Sequence, residues 1–400
     1  MRATRALAAA VAAVLVAAGC GADSGPPLLL LGTEAGTAVV DGTTGIVGHV
    51  APTALATPDG SLLVEATSST GDTVVRATDV ASNSERWVAG VGGVFEPRVA
   101  SASGDLVALT PPWGSVAGGL LAPGRATTQL RVVHADGNVD EYEVAANVEP
   151  EAFALDGSSL VVITYLPAEA PTSYQVRRLD LATGELSDMP SPDPDLQEDM
   201  RGTARTQVWD PDGSRLYTLY TLTAGPEVLA FVHVLDLDEQ WAHCVDLPAG
   251  LAATTAGLAL ADDAGTLYVA DAAGGGVAGI DTTRLSVERT GELGASSVDP
   301  TVRSVVAVAG SDLFVGAGAE ITKVDRTSLQ VLDRFVVATP VVGLQGSPTE
   351  LYVADFDSLA VLDPRTGFQL HDFVLVATTG ALTSLGSRTI PAYTGSECAC

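Results

Sequence analysis

Apolar and polar residues alternate along almost the whole chain in short runs, each closed by a cluster of Gly, Asp, Ser, Thr or Asn. Thr266–Asp271 reads TLYVAD and Gly276–Asp281 reads GVAGID, with ADDAG before the first run and TTR after the second. Short runs of this kind, bounded by turn formers, predict β-strands. No long helix is apparent after the first two dozen residues. The same unit returns at 349–367 as TELYVADFDSLAVLDPRTG.

Two turn series keep step with this unit. An Asp closes the third strand of each unit, at Asp41, Asp79, Asp136, Asp180, Asp236, Asp281, Asp325 and Asp363, spaced 38 to 57 residues apart. An Asp side chain accepts from backbone two residues on and so favours a tight turn. A second series marks the first hairpin: Gly60, Gly104, Gly157, Gly213, Gly265 and Gly310, with Gly346 fitting less well. Gly supplies the positive φ that such turns use. A four-stranded unit of this length is the blade of a β-propeller.

The expected fold is therefore all-β, a propeller of four-stranded blades, with eight blades preferred and seven the alternative. The first unit lacks an innermost strand, because Leu28 begins directly at the second. The last complete blade ends near Val376, and Gly380 to Gly386 offers one further strand. That strand is expected to complete the first blade and close the ring, leaving no open edge. The units at 261–284 and 349–367, in which YVAD precedes an Asp-Thr turn, resemble the YVTN-type β-propeller repeat family over about residues 28–386. The resemblance implies the fold. It implies no single function, since one fold carries many.

The start of the chain changes the picture. Arg2 and Arg5 precede an apolar run from Ala6 to Ala18, too short to span a bilayer. The run ends Leu15-Val16-Ala17-Ala18-Gly19-Cys20, which resembles the lipobox of bacterial lipoproteins, with Ala17 where Leu is commoner. The resemblance implies a signal peptide at 1–19 and a lipidated Cys20 with a short linker at 20–27; the repeat then gives a propeller domain at 28–386 and leaves a tail at 387–400. It places the protein on the extracytoplasmic face of the cell membrane, anchored by lipid. Among 20 basic residues only Lys323 is a lysine, which with the abundant Ala, Gly and Val suits a high-GC, actinobacterial-like source.

Charge removes one class of partner. With 49 acidic against 20 basic residues the net charge is −29. Nucleic acids are held by Lys and Arg neutralising phosphates, so none is expected. The same charge opposes lying flat on an anionic membrane. With Cys20 acylated, Cys244, Cys398 and Cys400 remain, enough for one disulfide and one thiol in an oxidising compartment. Cys244 is a candidate partner for Cys398 or Cys400.

Blade topology sorts the loops by face. Four long connections, 113–127, 166–173, 186–203 and 221–228, fall on one face of three consecutive blades. Insertions gathered on one face of a repeat mark a binding face. Trp113, Tyr165 and Tyr220 stand near these loops. First strands open at the channel mouth with charge: Glu96 and Arg98, Glu151, Arg201 and Arg205, and Arg303. Arg98, Trp113, Tyr165, Arg205, Tyr220 and Arg303 are thus the candidate ligand-binding residues. Arg offers bidentate donors to a carboxylate or phosphate. The acidic loop 185–199 makes Ca²⁺ conceivable, but its spacing matches no known calcium loop. His49, His134, His233, His243 and His371 are expected on third or fourth strands, away from the channel, so no transition metal is expected there.

No nucleophile elbow, P-loop or zinc helix occurs, so no catalytic residues are assigned and no cofactor is expected. The leading expectation is a monomeric, membrane-anchored propeller that binds a protein or a small anionic ligand. The alternatives are a lactonase-like hydrolase working at the channel mouth and a quinone-cofactor redox protein.

Overall fold

The computed structural model describes residues 27–34, 36–52, 54–112, 122–192, 200–224, 227–251, 255–261, 263–294, 299, 301–375 and 382–385. The side chains of 204–205, 223–224, 227–228 and 383–385 are not described. The strands form eight four-stranded antiparallel sheets. In chain order the blades are I (28–51 with 382–385), II (55–92), III (96–144), IV (147–188), V (203–246), VI (257–292), VII (305–336) and VIII (343–374).

Burial follows position in the blade. The second strand of blade IV, Ser159–Leu166, is buried along nearly its whole length. The outermost strand of blade VI, Ser286–Glu292, alternates exposed and half-buried residues. A strand covered on both faces by neighbouring blades reads as a continuous apolar run, and a rim strand alternates. A separate apolar cluster fills each of the eight blade interfaces, so the ring closes on itself.

Closure occurs where expected. Leu382–Leu385 pairs antiparallel with Leu28–Thr33 as the innermost strand of blade I, with Leu31 opposite Leu385 and Thr33 opposite Leu382. Leu382 is fully buried in the cluster shared with blade VIII. The blade-to-blade and second-to-third connections define an upper face. The Gly and Asp turns define a lower face. Leu28, the first residue of a second strand, sits at the lower end of blade I.

All eight Asp turns form, each Asp Oδ1 accepting a backbone N–H two or three residues on at 2.7–3.0 Å. In seven blades the fourth residue after the Asp has positive φ: Gly45, Asn83, Gly184, Gln240, Leu285, Leu329 and Gly367.

Three details depart from expectation. In blade VI the positive φ falls on Ala264 (55°) instead of Gly265. Gly346 is no turn residue; it lies on the innermost strand of blade VIII, where a Cβ would sit 1.8 Å from the Val308 carbonyl oxygen. The stretch 221–228 is mostly strand, because Arg215–Ala224 and Glu227–Asp236 pair over ten residues each.

Candidate functional site at the upper mouth of blades III–V

The innermost strands of blades III, IV and V each carry one extra residue that the backbone register with the second strand skips. The extra residues are Arg98, Glu151 and Arg205, between partners Pro97/Val99, Pro150/Ala152 and Ala204/Thr206. A β-bulge bends its strand and re-aims the extra side chain. Blade I has a similar irregularity at uncharged Thr383. In III–V the extra residue is charged each time.

Around the first two bulges lies a buried ion network. Arg98 Nε lies 3.0 Å from Glu149 Oε1 and donates to Thr110 Oγ1 at 2.7 Å, and Arg98 Nη2 lies 3.1 Å from Glu96. Arg125 reaches Glu149 Oε2 at 3.4 Å, the Asn147 side-chain oxygen at 2.9 Å and the Val148 carbonyl at 2.9 Å. Gln207 Nε2 donates to Glu151 at 2.6 Å and to Thr218 at 3.1 Å, tying blade V to blade IV. Arg98 and Glu149 are each only 13% exposed at the side chain. Burial pushes the Glu149 carboxyl up to about 7 against the pull of Arg98 and Arg125, and Glu151 adds to the rise. A carboxyl so placed can hold or release a proton near neutral pH.

The upper connections lock over this network. Asn147 Nδ2 donates to the carbonyls of Pro123 (2.8 Å) and Ala168 (2.9 Å), and the Arg125 N–H donates to Ala168 at 2.9 Å. Gly124 is pressed so closely on Glu169 that a Cβ would lie 1.9 Å from its carbonyl oxygen. The connection between blades IV and V pairs at Met200 with Tyr174 and at Pro190 with Ala242. Outside the locked loops, Pro111, Pro112, Pro123, Arg125, Thr127, Gln129 and Glu143 line an open pocket of about 390 Å³.

The predicted residues divide sharply. Arg98 is in the network. Arg303 is exposed just before the innermost strand of blade VII, across the channel. Trp113 lies outside the described residues, as does the Arg205 side chain. Tyr165 and Tyr220, expected near the upper loops as candidate ligand-binding residues, are 7% and 5% exposed. Tyr165, Tyr174, Tyr220 and Phe231 pack in succession between blades IV and V, edge-to-face, tilted and stacked in turn, at centroid distances of 6.3, 5.6 and 5.3 Å. Their alternating positions put these rings on the inter-blade face, where they bury apolar surface. Glu149, Arg125 and Asn147 were missed. Glu149 beside Pro150 at the head of a first strand was the available signal.

All five histidines lie on third or outermost strands. His233 is buried, which with His243 nearby pulls its imidazole down to about 4. Cys244 pairs in register with His233, and burial, helped by Asp246, pushes its thiol up to about 12. Cys398 and Cys400 lie outside the described residues, as does Cys20. In the acidic loop Asp188 pairs with Arg177 at 3.2 Å, and residues 193–199 are not described. Among the described residues no group of three His, Cys, Asp or Glu is placed to hold a metal.

Fold and site together define the class: an eight-bladed β-propeller with a buried Arg–Glu network at the upper ends of blades III and IV, tied to blade V through Gln207. Among solved structures it is similar to the dihydro-heme d1 dehydrogenase NirN in complex with DHE, at 15% identity over 90% of this chain and 74% of that one, with a TM-score of 0.52. It also resembles Sqt1 of Saccharomyces cerevisiae (12% identity; 80% and 84% covered; TM-score 0.49) and BamB from Moraxella catarrhalis (14%; 84% and 93%; 0.41). At these identities the likeness shows the fold alone. No protein-family model and no curated protein sequence matches the chain.

Proposed function

We propose that this chain is a membrane-anchored, extracytoplasmic propeller lipoprotein that binds a protein or a small anionic ligand at the upper mouth of blades III–V. One observation carries the binding part: three successive innermost strands bulge at Arg98, Glu151 and Arg205 beneath the interlocked upper loops. Bulges cost ladder pairing, and they recur where a side chain must be re-aimed at a site. Arg125, which also lines the open pocket, brings a positive charge to the edge of a chain that is otherwise strongly acidic, and such a charge favours an anionic group.

The anchor is tested by fractionation. Cys20→Ala is expected to move the chain from membrane to soluble fraction, and unchanged membrane retention contradicts the anchor. The binding face is tested by complementation in cells lacking the protein. One variant shortens 113–121 and carries Arg125→Ala; the other carries Asp59→Ala and Asp263→Ala on the lower face. The first is expected to lose function while folded, and loss only in the second contradicts the assignment.

A second reading, a hydrolase using carboxylates at the mouth, is favoured by Glu149, whose carboxyl burial pushes up to about 7. It predicts that Glu149→Gln abolishes lactone turnover. The binding reading predicts no turnover to abolish.

A further inference from the structure

Exposed apolar side chains are unevenly distributed around the ring. Of the thirteen large ones exposed among the described residues, eight lie in blades VII, VIII and I, and four of these, Ile46, Leu332, Phe368 and Leu370, stand at the lower end of outermost strands. The repeat itself shows that the fold does not require them. The fifth residue after the turn Asp is exposed Ser84 in blade II, Glu185 in IV, Ser286 in VI and Gln330 in VII. Blade V has Trp241 there, half-buried over Arg215. The equivalent residues of blades I and VIII are Ile46, 65% exposed, and Phe368, 70% exposed. Leu370 stands two residues further along the outermost strand of blade VIII and Leu332 on that of blade VII, both exposed. Exposed large apolar groups at a position that four other blades fill with exposed polar residues mark a contact surface.

The tether says what covers it. Cys20 precedes Leu28 by eight residues, at most about 28 Å when extended. Leu28 sits at the lower end of the second strand of blade I, and the rim lies two strands further out, about 10 Å away. A lipid on Cys20 therefore holds the lower rim of blades VIII and I within reach of the bilayer. The net charge of −29 repels anionic headgroups, so a broad approach is unfavourable. An edge carrying apolar side chains is the geometry that remains.

We infer that the lower rim of blades VIII and I is a membrane-contact edge, with Ile46, Phe368 and Leu370 seated in the bilayer interface beside the lipidated Cys20. This rests on the lipoprotein reading above. It sets the propeller on edge. Blade VIII is four places from blade IV in a ring of eight, so the charged mouth points away from the membrane.

The test uses the full acylated chain in vesicles of phosphatidylethanolamine and phosphatidylglycerol with brominated acyl chains. Ile46→Trp, Phe368→Trp and Glu185→Trp occupy equivalent positions of blades I, VIII and IV, and each is read against the unmodified chain. Excess quenching of the new Trp is expected at 46 and 368 and absent at 185. Equal quenching at all three, in protein whose Cys20 carries lipid by mass and which sediments with vesicles, overturns the contact edge and leaves the anchor standing. Unacylated Cys20 with no sedimentation overturns the anchor and the contact edge together. Quenching at 368 that appears only after deletion of 387–400 assigns the patch to the chain's own tail. A concentration-dependent dimer that shields 368 from acrylamide assigns it to a second copy. Either of these last results also overturns the inference.

Discussion

Blades III–V and blades VII–I share one repeat and differ in what they add to it. In III–V the additions are charge and backbone: bulged innermost strands, a buried Arg–Glu network and upper loops tied by Asn147 and Arg125. In VII–I the upper connections are short, the innermost strands of VII and VIII pair without a bulge, and the additions are apolar side chains on the rim. A propeller blade thus has two independent places to vary. Its core strands are fixed by packing against both neighbours, whereas its mouth and its rim are free to specialise. The same eight Asp turns run under both regions, so the difference is not one of scaffold.

The comparison can be broken or sharpened by measurement. The largest effect is expected at the join. Deleting 382–400 removes the innermost strand of blade I and exposes the cluster around Leu29, Leu31 and Tyr352. Stability should fall by about 4 kcal/mol or more, as for loss of several buried aliphatic groups. Deleting 387–400 alone should leave the melting temperature nearly unchanged. Equal small effects would refute the closing strand.

Next is the mouth network. Arg98→Ala leaves Glu149 buried with one fewer partner and should cost about 3 kcal/mol at pH 8, as breaking a buried pair does. Combining it with Glu149→Gln should recover much of that loss. A loss below about 1 kcal/mol would place the network in solvent.

The pH dependence is a sharper test. Glu149 in the folded state titrates near 7, above its ordinary 4.5, so the stability linked to its proton is present below about 4.5 and lost as pH rises through 7. His233 titrates near 4, below its ordinary 6.5, so its contribution is present above 6.5 and lost as pH falls through 4. The two slopes oppose each other between about 4.5 and 6.5, each worth about 3 kcal/mol. The native chain should therefore be nearly flat in that window. Glu149→Gln should make stability fall with falling pH, and His233→Asn should make it fall with rising pH. Urea midpoints at pH 4.5, 5.5 and 6.5 check both signs. Below this range the turn carboxylates take over. Asp79, Asp180, Asp281, Asp325 and Asp363 are held below their ordinary value mainly by backbone N–H donors, so their contribution is lost on further acidification.

Blade VI lies outside both regions and gives a small effect of opposite sign. Ala264 has φ 55°, and Ala264→Gly should relieve that strain and raise stability by about 0.5–1 kcal/mol. Smallest of all, Phe368→Ser should change the stability of the propeller by less than about 0.5 kcal/mol, because a mostly exposed side chain loses little on truncation.

Much of the scaffold was legible because a repeat states its rules many times over. One Asp turn is weak, but eight in step with a Gly series favour eight blades over seven and give the strand order within each. The errors share a cause. Gly346 and Gly265 were assigned by position in the series, whereas one serves close packing against Val308 and the other yields the positive φ to Ala264. Tyr165 and Tyr220 were placed by height on their strands, while the side-chain period of two decides that they face the neighbouring blade. The network escaped notice because Arg125 and Glu149 are 24 residues apart and meet only through the pairing of blades III and IV. No local pattern reports a contact made between blades. The apolar rim escaped for the opposite reason: Ile46 and Phe368 read as ordinary strand residues until their exposure is known.

The most direct test of the opposed regions is photocrosslinking in intact cells, with a benzophenone side chain at Thr127, exposed in the blade III pocket, and in a second variant at Phe368. The account predicts an adduct to a protein or small ligand from 127 and an adduct to lipid from 368. Lipid captured from 127, or a protein captured from 368 with none from 127, would contradict it.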